Sequence, residues 1–447
     1  MALLSLKNGA MTDMGHMGLE RSHSDRRAEK RYSDRRTDKD MDGGSGADKK
    51  PLSLYVHIPF CVRKCDYCDF LSAPASEEVR ENYVNLLCRE MEREAALYPD
   101  YRVETVFFGG GTPTVLKPEQ LEKLLCKLKE CFFIREDAAK MTGSEITLEC
   151  NPGTVGGEEL KKLREAGFNR LSIGAQSMRN EELERLGRIH TREDFQETFR
   201  LAREAGFRNL NVDLMSALPG QSVESYVNSL REVVSLHPEH ISAYSLIVEE
   251  GTPFYERYGE ADAGRRRDGE DKDHLLPSEE EERRMYEVTR EILEESGYHR
   301  YEISNYALPG CECRHNITYW RRGDYLGLGL GAASLMGERR FTKSRELKEY
   351  EKMPEEKENM QPLTIQEQME EFMFLGLRLM SGVSRREFFD YFHVPMEQIY
   401  GEVLKKLERQ KLLAWQGEGI YLTKRGDWRQ QCGAGGVFAV IKTEAVP

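Results

Sequence analysis

At 447 residues, with 65 basic and 78 acidic side chains and a formal net charge of −13, the chain exceeds one ordinary domain and carries no excess of positive charge. That balance argues against a nucleic-acid partner, which leaves a basic patch, and suits a small or apolar ligand better. Ten cysteines at uneven spacings, with no signal peptide and no long apolar run, predict reduced thiols in a cytoplasmic protein without a transmembrane segment.

Residues 1–50 are polar, with Ser24-Asp25-Arg26-Arg27 echoed at Ser33-Asp34-Arg35-Arg36 and a Gly43-Gly44-Ser45-Gly46 stretch before Pro51. They bury too little apolar surface to fold alone and are expected to be a disordered extension. From residue 53 strand patterns alternate with helical ones. Strands are predicted at 53–57, 105–108, 145–149, 170–173, 209–214 and 240–245, with helices at 77–98, 119–131, 158–166, 193–205 and 225–236 between them. Glycines after Ala166 and Ala205 read as helix stops. Six βα units in series imply a parallel sheet wound by right-handed crossovers, an α/β fold of the partial (β/α)6 barrel type, over residues 51–300.

The charged run 259–284 is expected to be a solvated loop leading into a helix at 277–297. Residues 301–360 form a connecting segment. A second domain, 361–430, opens near Thr364, where Met369, Phe372, Met373, Leu375 and Leu379 mark a buried helical face. Helices at 385–392 and 396–410 and a hairpin at 412–415 and 419–423 complete a winged-helix-like pattern. The acidic balance favours a lid or docking role for it over DNA binding. Residues 431–447 are a tail.

Ligands and chemistry in a βα barrel sit at the carboxyl ends of the strands, and this chain carries polar or glycine-rich residues at almost every one. Cys61, Cys65 and Cys68 follow the first strand. Three thiolates in one short loop can hold a 4Fe-4S cluster with one iron left open; a zinc site completed by His57, or unreactive buried thiols, are the alternatives. Gly109-Gly110-Gly111-Thr112-Pro113-Thr114 follows the second strand and lets backbone approach a ligand. Glu149 ends the third, Gln176 the fourth, with Arg188 shortly after; Asp213 lies in the fifth and Tyr244-Ser245 in the sixth. Packing alone has no reason to repeat polar groups at one end of successive strands.

The cysteine spacing, with Tyr67 before the third cysteine, resembles the signature of the radical SAM enzymes. The set of motifs from Tyr55 to about Gln221 resembles that of oxygen-independent coproporphyrinogen III dehydrogenases and their relatives, the HemW-type haem chaperones. More thinly, the likeness extends over residues 51 to about 428. It implies a 4Fe-4S cluster on Cys61, Cys65 and Cys68. It also implies S-adenosylmethionine held by Tyr55, Gly110, Thr112, Glu149, Gln176, Arg188 and Asp213, with Ser245 adding a backbone contact.

Two features choose between these relatives. The dehydrogenases carry a fourth cysteine two positions after the third, where this chain has Phe70, as HemW-type proteins do. His315-Asn316-Ile317-Thr318-Tyr319-Trp320 resembles the element associated with haem binding in the chaperones: an imidazole for axial ligation, two aromatic residues to flank a macrocycle. A loop-capping histidine beside core aromatics is the other reading. Cys311-Glu312-Cys313-Arg314-His315 is one residue short of a c-type attachment sequence and is not read as covalent. The glycines from Gly327 to Gly331 are expected to bring backbone close to the cofactor or barrel rim.

The resemblance therefore implies a haem carrier that receives haem and delivers it to an acceptor protein. In the rival reading, S-adenosylmethionine is cleaved to a deoxyadenosyl radical that takes a hydrogen from a propionate of coproporphyrinogen III. An electron donor of the flavodoxin or ferredoxin kind is compatible with both.

Overall fold

Alternation along the first six strands sets the architecture. In the computed structural model residues 49–135, 143–259 and 275–431 are described; the chain divides into Met1–Lys50 and Pro51–Pro447, and the second unit is the one built here. The expected amino-terminal extension, the charged run over 260–274 and the tail from residue 432 lie outside the described residues.

Strands β1 (Lys50–Ile58), β2 (Tyr101–Gly110), β3 (Glu145–Cys150), β4 (Arg170–Gln176), β5 (Leu210–Ser216) and β6 (His240–Ser245) stand in that order, and β2 to β6 pair in parallel. Their outward positions, among them Leu54, Val56, Val106, Phe108, Leu148, Ile173, Val212 and Ile241, are buried. They pack with Leu124 and Leu128 of the intervening helices, and with Leu160, Phe195 and Leu230. Each such side chain contributes about 1.5–3 kcal/mol of transfer free energy.

The helices are α1 (Glu77–Leu97), α2 (Pro118–Cys131), α3 (Gly157–Ala166), the short α4 (Asn180–Arg185), α5 (Arg192–Glu204) and α6 (Val223–Ser235). Ser76, Thr191 and Ser222 cap α1, α5 and α6 by accepting from a backbone N–H of the first turn. The expected partial barrel is present, with boundaries within a few residues of those the pattern predicts.

The sheet is longer than the six strands read from sequence. After α7 (Pro253–Tyr258) and α8 (Glu279–Glu295), β7 (His299–Arg300) and β8 (Asn305–Ala307) add antiparallel beyond β6. After α9 (Arg314–Trp320), β9 (Tyr325–Leu328) pairs in parallel with β1, Tyr55 opposite Gly327. β10 (Ala333–Met336), β11 (Arg339–Thr342) and, past α10 (Leu347–Lys352), β12 (Glu358–Pro362) extend that edge antiparallel. Strands of two to five residues are too short for alternation to reveal. Lys343 ties this extension to α1: its ammonium lies 3.0 Å from Glu90 and 2.8 Å from Glu94, all three fully buried.

The carboxyl-terminal part has its own core, with Met373, Phe388, Tyr400, Leu404, Leu407 and Ile420 at its centre. Helices α11 (Ile365–Gly376), α12 (Arg385–Phe392) and α13 (Met396–Arg409) precede the hairpin β14 (Leu413–Gln416) and β15 (Gly419–Leu422). Thr364 and Glu367 form the capping box of α11. The winged-helix-like expectation holds, with two additions: β13 (Val383–Ser384) pairs with β15, and α14 (Lys424–Gln431) follows it. Arg322, buried before β9, reaches Glu371 of α11 at 2.9 Å and Tyr391 of α12 at 3.3 Å, and also pairs with Glu338.

Candidate functional site

Inward positions of the six strands are polar almost throughout, which gives the barrel a hydrophilic interior with two ends. At the carboxyl end, the loop after β1 carries Cys61, Cys65 and Cys68, all partly buried, and the nine described cysteines are free. The loop is pinned by Cys61 N–H to the Ala73 carbonyl (3.2 Å) and by Asp66 N–H to the Leu186 carbonyl (3.3 Å). A run of polar contacts links two of the thiols across four strand ends. Cys61 Sγ lies 3.4 Å from Thr112 Oγ1, which accepts from Asn151 Nδ2 at 2.7 Å; Asn151 Oδ1 accepts from Arg188 Nη2 at 2.9 Å, and Arg188 Nη1 points at Cys65 Sγ from 3.7 Å. Arg188 also donates to the Gly174 carbonyl at 2.9 Å, while its Nε is buried with no hydrogen-bond partner.

The zinc alternative loses its fourth ligand here. His57 spends Nδ1 on the Tyr55 hydroxyl (3.0 Å) and Nε2 on the Leu71 carbonyl (2.9 Å). Among the described residues no group of three or more histidine, cysteine or acidic side chains converges tightly enough for a single ion. Three soft thiols spread along one loop, beside a guanidinium that offsets their charge, fit a cluster instead. Burial pushes the Cys68 thiol up to about 12, with the neighbouring Cys65 and Cys61 adding to the rise.

The other expected contacts gather around that loop. Gly110, at φ 113°, ends β2; a Cβ there would stand 2.4 Å from the His57 ring, so no side chain fits. Its N–H donates to Glu149 Oε2 at 3.1 Å. Burial, with Asp213 nearby, raises the Glu149 carboxyl to about 7. Asp213 is raised as well, by burial, and accepts from Asn211 at 2.9 Å. Gln176, at φ 63° where β4 breaks register, accepts from the Tyr244 hydroxyl at 3.0 Å. Ser245 is buried beside Ser216, their hydroxyls 3.2 Å apart. Tyr55 stacks on Phe107 one strand over. Asn151, just past the end of β3 and not among the expected site residues, joins Thr112 to Arg188.

His315 stands at the opposite end. Its Nδ1 meets Thr105 Oγ1 at 2.7 Å, midway along β2 and level with the first residue of β3, and its Nε2 meets the Tyr319 hydroxyl at 2.9 Å. Thr105 and Gly110 are five residues apart on one strand, roughly 17 Å at strand rise. Glu145, opening β3, accepts from the N–H groups of Arg314 and His315 at 3.1 Å each, an anion at the amino end of α9. The ring is 1 % exposed, and burial holds it neutral with its pKa lowered to about 3.

The expectation that Tyr319 and Trp320 flank a macrocycle around a presented imidazole therefore needs correction. Trp320 is buried beneath the Arg378 guanidinium of the carboxyl-terminal part, 4.3 Å from its ring centre. Tyr319 points its hydroxyl at His315 and packs edge-on to Tyr325. The helix spends its aromatic residues on packing, Trp320 under Arg378 and Tyr319 against Tyr325. Gly329, at φ 100°, marks a close approach of β9 to β1: a Cβ would lie 2.8 Å from the His57 carbonyl.

A parallel barrel with three cysteines in the loop after its first strand, a glycine run after the second and a carboxylate ending the third defines a radical SAM protein. Residues 55–233 match the Radical SAM superfamily and residues 363–428 the HemN C-terminal domain. The chain is 39% identical to the heme chaperone HemW of Bacillus subtilis over 84% of its own length and 96% of that relative. It is 37% identical to the HemW of Lactococcus lactis over 85% and 95%. The solved structure of coproporphyrinogen III oxidase (HemN) from Escherichia coli superposes with a TM-score of 0.73 at 25% identity, covering 89% of this chain and 92% of that one. The chain belongs to the HemW heme chaperone family of radical SAM proteins. Membership implies a 4Fe-4S cluster and S-adenosylmethionine. Among the described residues no helix is long and apolar enough to cross a membrane.

Proposed function

We propose that this protein binds haem and hands it to an acceptor protein, on a barrel that keeps its cluster and an exchangeable S-adenosylmethionine. Phe70 in place of a fourth loop cysteine, in a chain matched to haem chaperones along nearly their whole length, carries this reading. In it the working parts are the barrel (51–300), the connecting segment with α9 (301–360) and the carboxyl-terminal unit (361–430).

When bound, the cluster supplies a one-electron reductant and an open iron for the amino and carboxylate groups of S-adenosylmethionine. Cys61, Cys65 and Cys68 hold it. Arg188 offsets thiolate charge, and its unpaired Nε is a donor for a carboxylate. Glu149 and Asp213 take positively charged or hydroxyl groups of the ligand, Glu149 most strongly once ionised. The Gly110 backbone lines the path, and Thr112 and Gln176 orient the ligand with Tyr55 and Ser245. His315 remains the candidate axial ligand, neutral as ligation requires, through Nε2 once the Tyr319 hydroxyl gives way.

The coproporphyrinogen dehydrogenase reading draws on the likeness to the HemN structure, which spans most of both chains. One anaerobic preparation tests both: haem titration followed by a coproporphyrinogen oxidation assay. Micromolar haem binding without oxidation supports the carrier; oxidation without haem binding replaces it with the enzyme.

A further inference from the structure

Between the ring of residues near the cysteine loop and the α9 floor lies Arg170, the first residue of β4. It is 2 % exposed, its Nε has no hydrogen-bond partner, and its guanidinium makes no ion pair among the described residues. Directly beside it in the β3–β4 register stands Thr147, fully buried, whose Oγ1 is likewise unpartnered. The nearby acids are committed elsewhere. Glu145 accepts from the N–H groups of Arg314 and His315, and the Asp213 oxygens are bonded to Asn211 at 2.9 Å and Ser172 at 3.4 Å.

A buried guanidinium with an unpartnered Nε is costly, and removing its planar fork from water is repaid best by a carboxylate. The adjoining hydroxyl supplies a further donor. We propose that Arg170 and Thr147 form a carboxylate-binding pair inside the barrel that receives a propionate of a bound tetrapyrrole. The identity of the tetrapyrrole as haem rests on the carrier reading; the carboxylate chemistry rests on the two unpartnered groups. Arg170 lies two residues along the sheet below the Glu149 level, so a propionate there sits beneath the S-adenosylmethionine contacts and above His315.

The test compares three ligands on the full-length, cluster-reconstituted protein under anaerobic conditions: haemin, haemin dimethyl ester and metal-free coproporphyrin III, each titrated by absorbance. The parent is expected to bind haemin about tenfold more tightly than the diester, the scale of one charge-assisted contact. Arg170→Gln should bind the two alike, and Arg170→Lys, which keeps the charge but not the fork, should retain part of the preference. Equal binding of haemin and diester by the parent overturns the pair. So does a full preference kept in Arg170→Gln. If Arg170→Gln does not fold, Arg170→Lys and Thr147→Val decide: undiminished preference in both overturns the proposal. Coproporphyrin III separates the two readings. Its binding by a parent that ignores haemin, lost in the Arg170 variants, keeps the carboxylate pair and removes the carrier; binding of none of the three removes both.

Discussion

Thr105 Oγ1 lies 2.7 Å from Nδ1 of His315, and through this contact α9 is fixed against the middle of the strand whose carboxyl end carries the glycine run. The same imidazole is the candidate haem ligand, so stability and binding meet in one side chain.

His315→Ala should weaken haem binding or shift the Soret band while leaving iron content unchanged. It should also alter acid stability. The folded ring titrates at about 3, against about 6.5 in an unfolded chain. Its stabilising contribution is therefore complete above the unfolded value and is lost as pH falls towards the folded one. Between pH 7 and 5 the parent should lose about 2 kcal/mol more than the variant in denaturant titrations. Identical pH dependence in the two would show that the ring is not held neutral.

Anaerobically reconstituted parent should carry about four irons per chain. Alanine at Cys61, Cys65 or Cys68 should abolish this, as measured by iron and sulfide analysis. A triple variant with full iron occupancy would remove the cluster assignment.

S-adenosylmethionine affinity should rise from pH 6 to pH 8 as Glu149, at about 7, ionises. Glu149→Gln should flatten that profile in anaerobic calorimetry with little effect on iron content. In the ligand-free protein the sign reverses. A carboxyl raised on folding gives stability that is full below the unfolded value and is lost as pH rises through the folded one, so Glu149→Gln should be more stable than the parent at pH 8 by about 3 kcal/mol, and nearly equal at pH 4. Gly110→Val should also abolish S-adenosylmethionine binding, but it strains the backbone against His57 and is the less specific probe.

Little or no coproporphyrinogen oxidation is expected from the parent, and Phe70→Cys should not create it, because one thiol does not rebuild a substrate pocket. Robust turnover by the parent in a product assay reverses the functional reading.

Arg322→Ala should leave Glu338 without its cation while Glu371 keeps Arg340 at 2.7 Å, at a cost of about 1–3 kcal/mol. Limited proteolysis should then cut faster between β12 and α11 than in the parent. An unchanged digestion pattern would mean the carboxyl-terminal part is held by other contacts, such as Arg378 over Trp320.

The barrel was legible because helical patterns alternate with its strands and two of those helices end on a glycine stop, and the cysteine loop because three thiols in eight positions have few other uses. The strands from β7 to β13 were not, since pieces of two to five residues carry no period. Arg170 and Asn211 were missed although the signal was there: alternate residues of most barrel strands are polar well before the strand ends that drew attention. His315 was found for its type but not its setting, because a motif says nothing about which end of a barrel covers it or what buries its ring.

The pairing of β1 with β9 has a consequence for the order of events during synthesis. Roughly 270 residues separate Ser53 from its neighbour Tyr325. At about 5–20 residues per second the cysteine loop is out of the ribosome for ~15–50 s before the strand that flanks its base exists. Iron delivered in that interval meets three thiols on a half-supported edge, so cluster insertion into the nascent chain and into the finished protein are different reactions, and the later one finds the loop already braced.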